Sequence, residues 1–247
     1  MRVTNRPSDL LRRFRESFLG DVMARDLGGK HVVVVGATGV LGERIAAHLA
    51  AAGAKVSAVV RDHTRLDGAS VFQYALADVT DTAAMRIAFA SVASVGPLDG
   101  VVNATGVVAF GGIGELDDAT LAKLFAVNAI APIVMLRESA ALITDGGFFV
   151  NISGVVATQP VAGMAAYSAS KAAAWSAMSA VARELRRRQI DVIDARPPHT
   201  ETGLASRAIA GVAPKMPVGL TPDSVAARIV GAIVAGEREL PTEAFGV

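Results

Sequence analysis

His31-Val-Val-Val-Val-Gly36-Ala37-Thr38-Gly39-Val40-Leu41-Gly42 is the stretch that decides the fold. Its first five residues form a short apolar run rich in β-branched side chains, the pattern of a strand buried on both faces. Three glycines follow within seven residues. Beyond them Leu41, Ile45 and Leu49 recur every four residues, which predicts a helix over 39–52 that Gly53 closes. A strand, a glycine turn and a helix in this order have a physical use. The glycines let the backbone bend tightly and let a pyrophosphate sit against the helix N-terminus, and the last one lets the helix pack on the sheet. The same spacing also suits a tight turn that binds nothing. Its place after the first strand of an alternating pattern favours dinucleotide binding. Gly36, Thr38, Gly39, Val40, Leu41 and Gly42 are then the phosphate-side candidates.

The alternation continues outward from this turn. Lys55–Val60 reads as a second strand, 71–79 as a less regular extended stretch and 82–92 as a helix. Leu98–Asn103 and 147–152 read as buried strands, separated by a long helical stretch near 118–143. A helix over about 165–188 and a strand at Asp191–Ala195 come next. Thr221 and Pro222 open a last helix as N-cap and first position, with Val225, Ile229 and Ile233 as its stripe. Strands alternating with helices predict an α/β fold: one domain built on a doubly wound parallel sheet with helices on both faces. The segment 196–220 breaks the pattern with four prolines, and irregular stretches of that length are usually functional or disordered.

Residues 1–28 precede the pattern and read as an N-terminal extension to a domain at 29–247. Leu10, Phe14 and Phe18 lie opposite Arg12, Arg13 and Arg15, which predicts an amphipathic helix. Such a helix packs on its own domain or a partner subunit, or lies on a membrane surface; the packed form is the commoner.

Composition narrows the chemistry. A chain of 247 residues is long enough for a large core, and 24 glycines mark sharp bends and close approaches. The absence of cysteine excludes disulfides, zinc–thiolate sites and a thiol nucleophile. A net charge of +1 argues against nucleic acid as the partner. The four histidines show no metal-ligand spacing, so no metal is expected. Charged residues interrupt the start of the chain and no run of 18 apolar residues occurs, so a cytoplasmic protein with no membrane span is expected.

Two further patterns carry chemistry. The second strand ends at Val60 and is followed by Arg61 and Asp62. An acidic residue at that place suits the ribose of NAD, whereas a guanidinium can hold the 2′-phosphate of NADP. Arg61 is the nearer to the strand end, so NADP is favoured, with NAD the alternative and a solvated Arg–Asp pair the plainer reading. Tyr167 and Lys171 are four apart on a predicted helix and share a face. A nearby ammonium stabilises a phenolate and makes tyrosine a usable acid/base. Taken alone, the pair would be an ordinary buried ring and a snorkelling lysine.

Together these segments resemble the short-chain dehydrogenase/reductase family over about residues 29–240. GATGVLG at 36–42 resembles its cofactor turn, and Asp78-Val79 the pair that touches the adenine. Asn103-Ala104-Thr105-Gly106 resembles the segment under the cofactor, and Asn128 the helix asparagine of the catalytic tetrad. YSASK at 167–171 matches the Tyr-x-x-x-Lys motif, and Pro197 and Thr202 lie where the family meets the nicotinamide. The resemblance implies about seven strands and hydride transfer between NAD(P)H and a carbonyl or alcohol. It gives Tyr167 the proton, Lys171 the tuning of Tyr167 and the ribose, and Asn128 a relay water. It also implies a homodimer or homotetramer through the long middle helices, where Ala172, Ala173, Ala174, Ala177 and Ala180 permit close packing.

The pattern has gaps. Thirteen residues before the tyrosine, where the family places its catalytic serine, stands Gly154; Ser153 precedes it. Either Ser153 enters the site through a backbone shift, or Thr158 or a substrate group supplies the hydrogen bond, or Ser153 points away into structure. The middle glycine of the turn is Gly39 where the commoner pattern has it one later, and Pro197-Pro198-His199 replaces Pro-Gly. The expected substrate pocket is bordered by Val107, Phe110, Gly154, Val155, Met164, His199 and Leu204. That mostly apolar border suits a small or medium carbonyl or alcohol. The competing expectations are a dinucleotide-binding regulator or scaffold subunit without redox turnover, and an epimerase or dehydratase on the same fold.

Overall fold

The computed structural model describes residues 24–246. Seven parallel strands form one sheet in the order β3-β2-β1-β4-β5-β6-β7. They are β1 (His31–Val35), β2 (Lys55–Val60), β3 (Gln73–Leu76), β4 (Leu98–Asn103), β5 (Ile143–Ile152), β6 (Asp191–Ala195) and β7 (Glu239–Leu240). The α-helices among the described residues are α1 (Val40–Ala51), α2 (Thr82–Ala93), α3 (Asp118–Phe125), α4 (Ala131–Ala140), α5 (Ala165–Glu184) and α6 (Pro222–Ala235).

The four valines of β1 explain its central place: all five residues are buried, and the ring of His31 is hydrogen-bonded to Ser57 Oγ at 2.7 Å. Val32 and Val34 pack with Ile45 and Leu49 of α1 and Ile229 and Ile233 of α6. Val33 and Val35 point the other way, onto Met85 and Phe89 of α2, Met135 of α4 and Met178 of α5. This is the doubly wound α/β sheet that the alternation predicts. Strand order reverses between β1 and β4, and that reversal opens a crevice beyond their C-terminal ends.

Some elements differ from expectation. β3 is four residues long because it is a half-exposed edge strand, and 77–79 already belong to the turn that leads to Asp81, the cap of α2. The helix near 118–143 is three pieces: α3, a π turn over Ala126–Ile130, and α4. By composition the run Asp118–Ala140 could cross a membrane, but 56% of its apolar window is buried in the protein. β7 has two residues, too few for any periodicity to reveal. The folded core also begins ahead of residue 29. Leu27 lies in it, the Arg25 N–H donates to Val234 O at 2.7 Å, and the Arg25 guanidinium pairs with Asp191 at 3.0 Å. The amphipathic stripe Leu10, Phe14 and Phe18 falls outside the described residues.

Candidate active site and cofactor cleft

The turn after β1 has a backbone that could hold a phosphate. Gly36 has φ +87°, and a Cβ there would meet Thr105 Cγ2 at 2.8 Å. A Cβ on Gly42 would run into the Gly36 carbonyl, so only glycine lets α1 start this close to the turn. Gly39 is freer: its φ is −82° and a Cβ would meet only Gly36 O, at 3.3 Å. The outer two glycines are therefore the demanding ones, and the shifted middle glycine costs the turn little. No side chain caps α1 at Gly39, which leaves the first N–H groups of the helix to an anion.

At the β2 side of the crevice, Arg61 is exposed at the end of the strand. Asp62 is occupied by its own loop, since Oδ1 accepts the Thr64 N–H at 2.9 Å. Asp78 Oδ1 accepts from both the N–H and the hydroxyl of Thr80, at 2.8 and 2.6 Å. These bonds hold its carboxyl below the usual range and fix it beside Val79.

The floor of the cleft is the end of β4. The Ala104 N–H donates to Val35 O at 2.9 Å, which locks the segment after β4 to β1. Asn103 Oδ1 accepts from the Thr105 N–H at 3.0 Å and the Thr105 hydroxyl at 2.6 Å. Gly106 sits where a Cβ would meet Lys171 Nζ at 3.3 Å and Asn128 Oδ1 at 3.4 Å. The end of β4, the π turn and α5 thus converge on one point.

Tyr167 and Lys171 are one turn apart on α5 and both are buried. The Tyr167 hydroxyl has no hydrogen-bond partner among the described residues, yet it is not sealed off. Burial pushes this phenol up to about 12 and pulls the Lys171 ammonium down to about 8, the latter opposed by the charge of Asp194. Lys171 Nζ donates to Ile152 O at 2.8 Å. Asn128 accepts the Val107 N–H at 3.0 Å and donates to Val107 O and Ser170 Oγ at 2.8 and 3.1 Å. Both of its side-chain donors are used, and its oxygen keeps one lone pair that can accept from a water.

Ser153 is corrected by the structure. It has the same parity as Asn151 and faces the α5 side of the sheet, 1% exposed, with its hydroxyl donating to Asp194 Oδ1 at 2.5 Å. It is a buried structural donor and does not enter the cleft. Gly154 has φ +80° and ψ 166°, a backbone region that glycine alone takes readily. A Cβ there would meet nothing nearer than Pro197 O at 3.8 Å. Thr158 is exposed and its hydroxyl turns to Val155 O at 3.4 Å.

Of the expected pocket, Phe110 and Met164 line a cavity of about 30 Å³ beside Tyr167. Val107 and Leu204 pack on the same apolar cluster as Tyr167. Val155 does not; its neighbour Val156 takes that place, because 155–157 wind as a 3-10 turn. His199 also lies outside that cluster, with its ring facing Glu201 at 3.3 Å and packing on Gly219. Pro197 is buried, and its carbonyl accepts the Val155 N–H at 3.0 Å. The Thr202 hydroxyl accepts the Leu204 N–H at 3.3 Å and keeps its own proton to donate.

Sequence reasoning expected the 198–216 loop to border the pocket, but not the backbone pairing that straps it to 108–110. Ile209 N–H donates to Val108 O at 2.8 Å and Phe110 N–H to Ala210 O at 3.0 Å. The run of alanines at 205, 208, 210 and 213 was its one signal, since small side chains allow such close docking.

A crevice at the strand-order reversal and an uncapped helix start define a Rossmann-like doubly wound fold, with a buried tyrosine–lysine pair on α5. The profile described as short chain dehydrogenase matches residues 30–212. The chain belongs to the short-chain dehydrogenase family, a family of oxidoreductases. It is similar to an uncharacterized oxidoreductase of Methylorubrum extorquens, 31% identical over 81% of this chain and 88% of that one. It is also similar to the L-xylulose reductase of Caenorhabditis elegans, 30% identical over 70% and 72%. Among solved structures, a short-chain dehydrogenase from Burkholderia cenocepacia in complex with NADP superposes with a TM-score of 0.77 at 28% identity, covering 88% of this chain and 98% of that one.

Proposed function

We propose that the protein is an NADP(H)-preferring oxidoreductase that acts on a small or medium, largely apolar carbonyl or alcohol, with Tyr167 as its general acid/base. The observation that carries this reading is the convergence of Lys171 Nζ and Asn128 Oδ1 on Gly106, with Tyr167 buried one turn before Lys171 on the same helix. The uncapped start of α1 and the glycines at 36 and 42 fit a pyrophosphate. When bound, the nicotinamide supplies or accepts the hydride. Tyr167 holds its proton at neutral pH, since burial raises its pKa to about 12, and so serves as acid at a carbonyl oxygen. Lys171 supplies the positive charge that favours the phenolate left behind. The open space at Gly154 is where a hydroxyl of the substrate, or a water, replaces the absent serine; a donor of that kind is worth roughly 3 kcal/mol of barrier.

NADP preference rests on Arg61, whose guanidinium makes no ion pair among the described residues while Asp62 is held by Thr64. A tighter dissociation constant for NADPH than for NADH, lost in Arg61→Ala, is the expected result. A wild-type preference for NADH would overturn it. Exposed Ile130 and Ile133, beside the alanine-rich α5, support a homodimer or homotetramer through α4 and α5. A second reading, a dinucleotide sensor without turnover, draws on the glycine backbone at 154. NADPH binding with no Tyr167-dependent turnover on a carbonyl panel would favour it.

A further inference from the structure

β6 reads Asp-Val-Ile-Asp-Ala, and its second aspartate is out of character for a strand covered on both faces. Asp194 is 4% exposed. Its carboxylate is nevertheless fully addressed. The Thr105 N–H can only donate, so Asn103 must present its oxygen to Thr105 and its amide nitrogen to Asn151 Oδ1, at 2.9 Å. Asn151 is thereby forced to present its own nitrogen to Asp194 Oδ2, also at 2.9 Å. The Ser153 hydroxyl donates to Asp194 Oδ1. Both carboxylate oxygens are acceptors, which is the pattern of the ionised form.

The two donors flank Ile152, the residue whose carbonyl receives Lys171 Nζ. Asp194 therefore clamps the chain on either side of the lysine's anchor. It also provides a negative charge on the side of the sheet that α5 covers. We infer that Asp194 is a positioning residue of the reaction: through Asn151 and Ser153 it fixes the carbonyl that orients Lys171, and its charge keeps Lys171 an ammonium. This rests on the reading of Tyr167 and Lys171 as the acid/base pair. It also gives Ser153 a use, as a donor that holds Asp194 ionised from the position just before the missing serine.

Six other charged residues lie around Asp194, whose pKa burial raises and Arg196 lowers ahead of Lys171. Arg196 lies 3.6 Å from Oδ1, beyond hydrogen-bond length, with its guanidinium over the Trp175 ring. Arg183, Arg186, Asp191, Arg238 and Glu239 line the concavity of about 590 Å³ whose wall includes Asp194. Burial works against both members of the Asp194–Lys171 pair, and each opposes the other's loss of charge.

The test is the titration of the Lys171 side chain by carbon-13 NMR of labelled lysine in the full chain, assigned with Lys171→Arg. Asp194→Asn keeps the size and removes the charge. The expected result is a Lys171 titration lower by about one unit or more, the size typical of a lost opposite charge. If the proposed activity exists, kcat at neutral pH then falls about twofold for a one-unit shift, and more for a larger one, while KM for NADPH holds. An unmoved titration in folded Asp194→Asn overturns the inference, whatever the turnover. Should that variant fail to fold, Ser153→Ala decides: a smaller shift in the same direction supports the inference, and no shift overturns it. Because the titration needs no substrate, failure to find an activity is read separately.

Discussion

Replacing Lys171 with methionine should stabilise the cofactor-free protein while removing the group proposed to drive its chemistry. Lys171 titrates near 8 instead of 10.5 because burial strips water from the ammonium, a loss that Asp194 offsets only in part. At about pH 7 a shift of that size amounts to roughly 3 kcal/mol against the folded state. The attraction to Asp194 is already contained in that figure. Methionine packs in a similar volume without charge, but it leaves Ile152 O without its donor, at about 1 kcal/mol. The net expectation at about pH 7 is a gain of roughly 2 kcal/mol. The sign with pH follows from proton counts. Between about 8 and 10.5 the unfolded chain holds this proton and the folded chain has lost it, so wild-type stability rises with pH across that window. At about pH 9.5 the penalty on wild type is down to about 1 kcal/mol, and the two proteins should be nearly equal. Urea unfolding of both, followed by circular dichroism at the two pH values, gives the comparison. A methionine variant less stable at both, or a difference that does not shrink with pH, would refute the reasoning.

Other substitutions probe the glycines that shape the site. Gly154→Ser should lose about 1–3 kcal/mol in denaturant unfolding, because serine does not readily take φ +80° with ψ 166°; unchanged stability would mean the backbone there relaxes. Gly42→Ala puts a methyl against the Gly36 carbonyl and should weaken NADPH binding at least tenfold by calorimetry, about 1.4 kcal/mol or more. An unaltered dissociation constant would show that the turn is not the phosphate site. Gly211→Ala puts a methyl into the Phe110 carbonyl, so the strap from 209–210 to 108–110 should open. In steady-state kinetics KM for the carbonyl should rise more than kcat falls, and an unchanged KM would separate the strap from the pocket.

How much of this was legible in the sequence depends on how local each signal was. The strand–turn–helix at 31–52 could be read because β-branched residues, glycines and a four-residue repeat all point the same way. Tyr167 and Lys171 could be placed on one face from helical geometry alone, and the structure keeps them together. Strand alternation offered the inward-facing Ser153 as one alternative, but the sequence could not choose it, because the choice depends on Asp194, 41 residues away on the next strand. The polar residue inside the apolar β6 was its only trace. β7 and the strap over Phe110 stayed hidden for a related reason: both rest on backbone pairing between distant segments, with no periodic side-chain pattern. Val156 takes the place expected of Val155 because a 3-10 turn follows β5, and no side-chain pattern in the sequence marks that turn.

The central claim is that Tyr167 delivers the proton in an NADPH-dependent reduction. Its most direct test is NADPH oxidation over a panel of carbonyl compounds, with wild type and Tyr167→Phe compared on any substrate that responds. Wild type should turn over, and Tyr167→Phe should lose about a hundredfold to ten-thousandfold in kcat with the NADPH dissociation constant unchanged. Equal turnover by the two proteins, or tight NADPH binding with no turnover on any carbonyl, would contradict it.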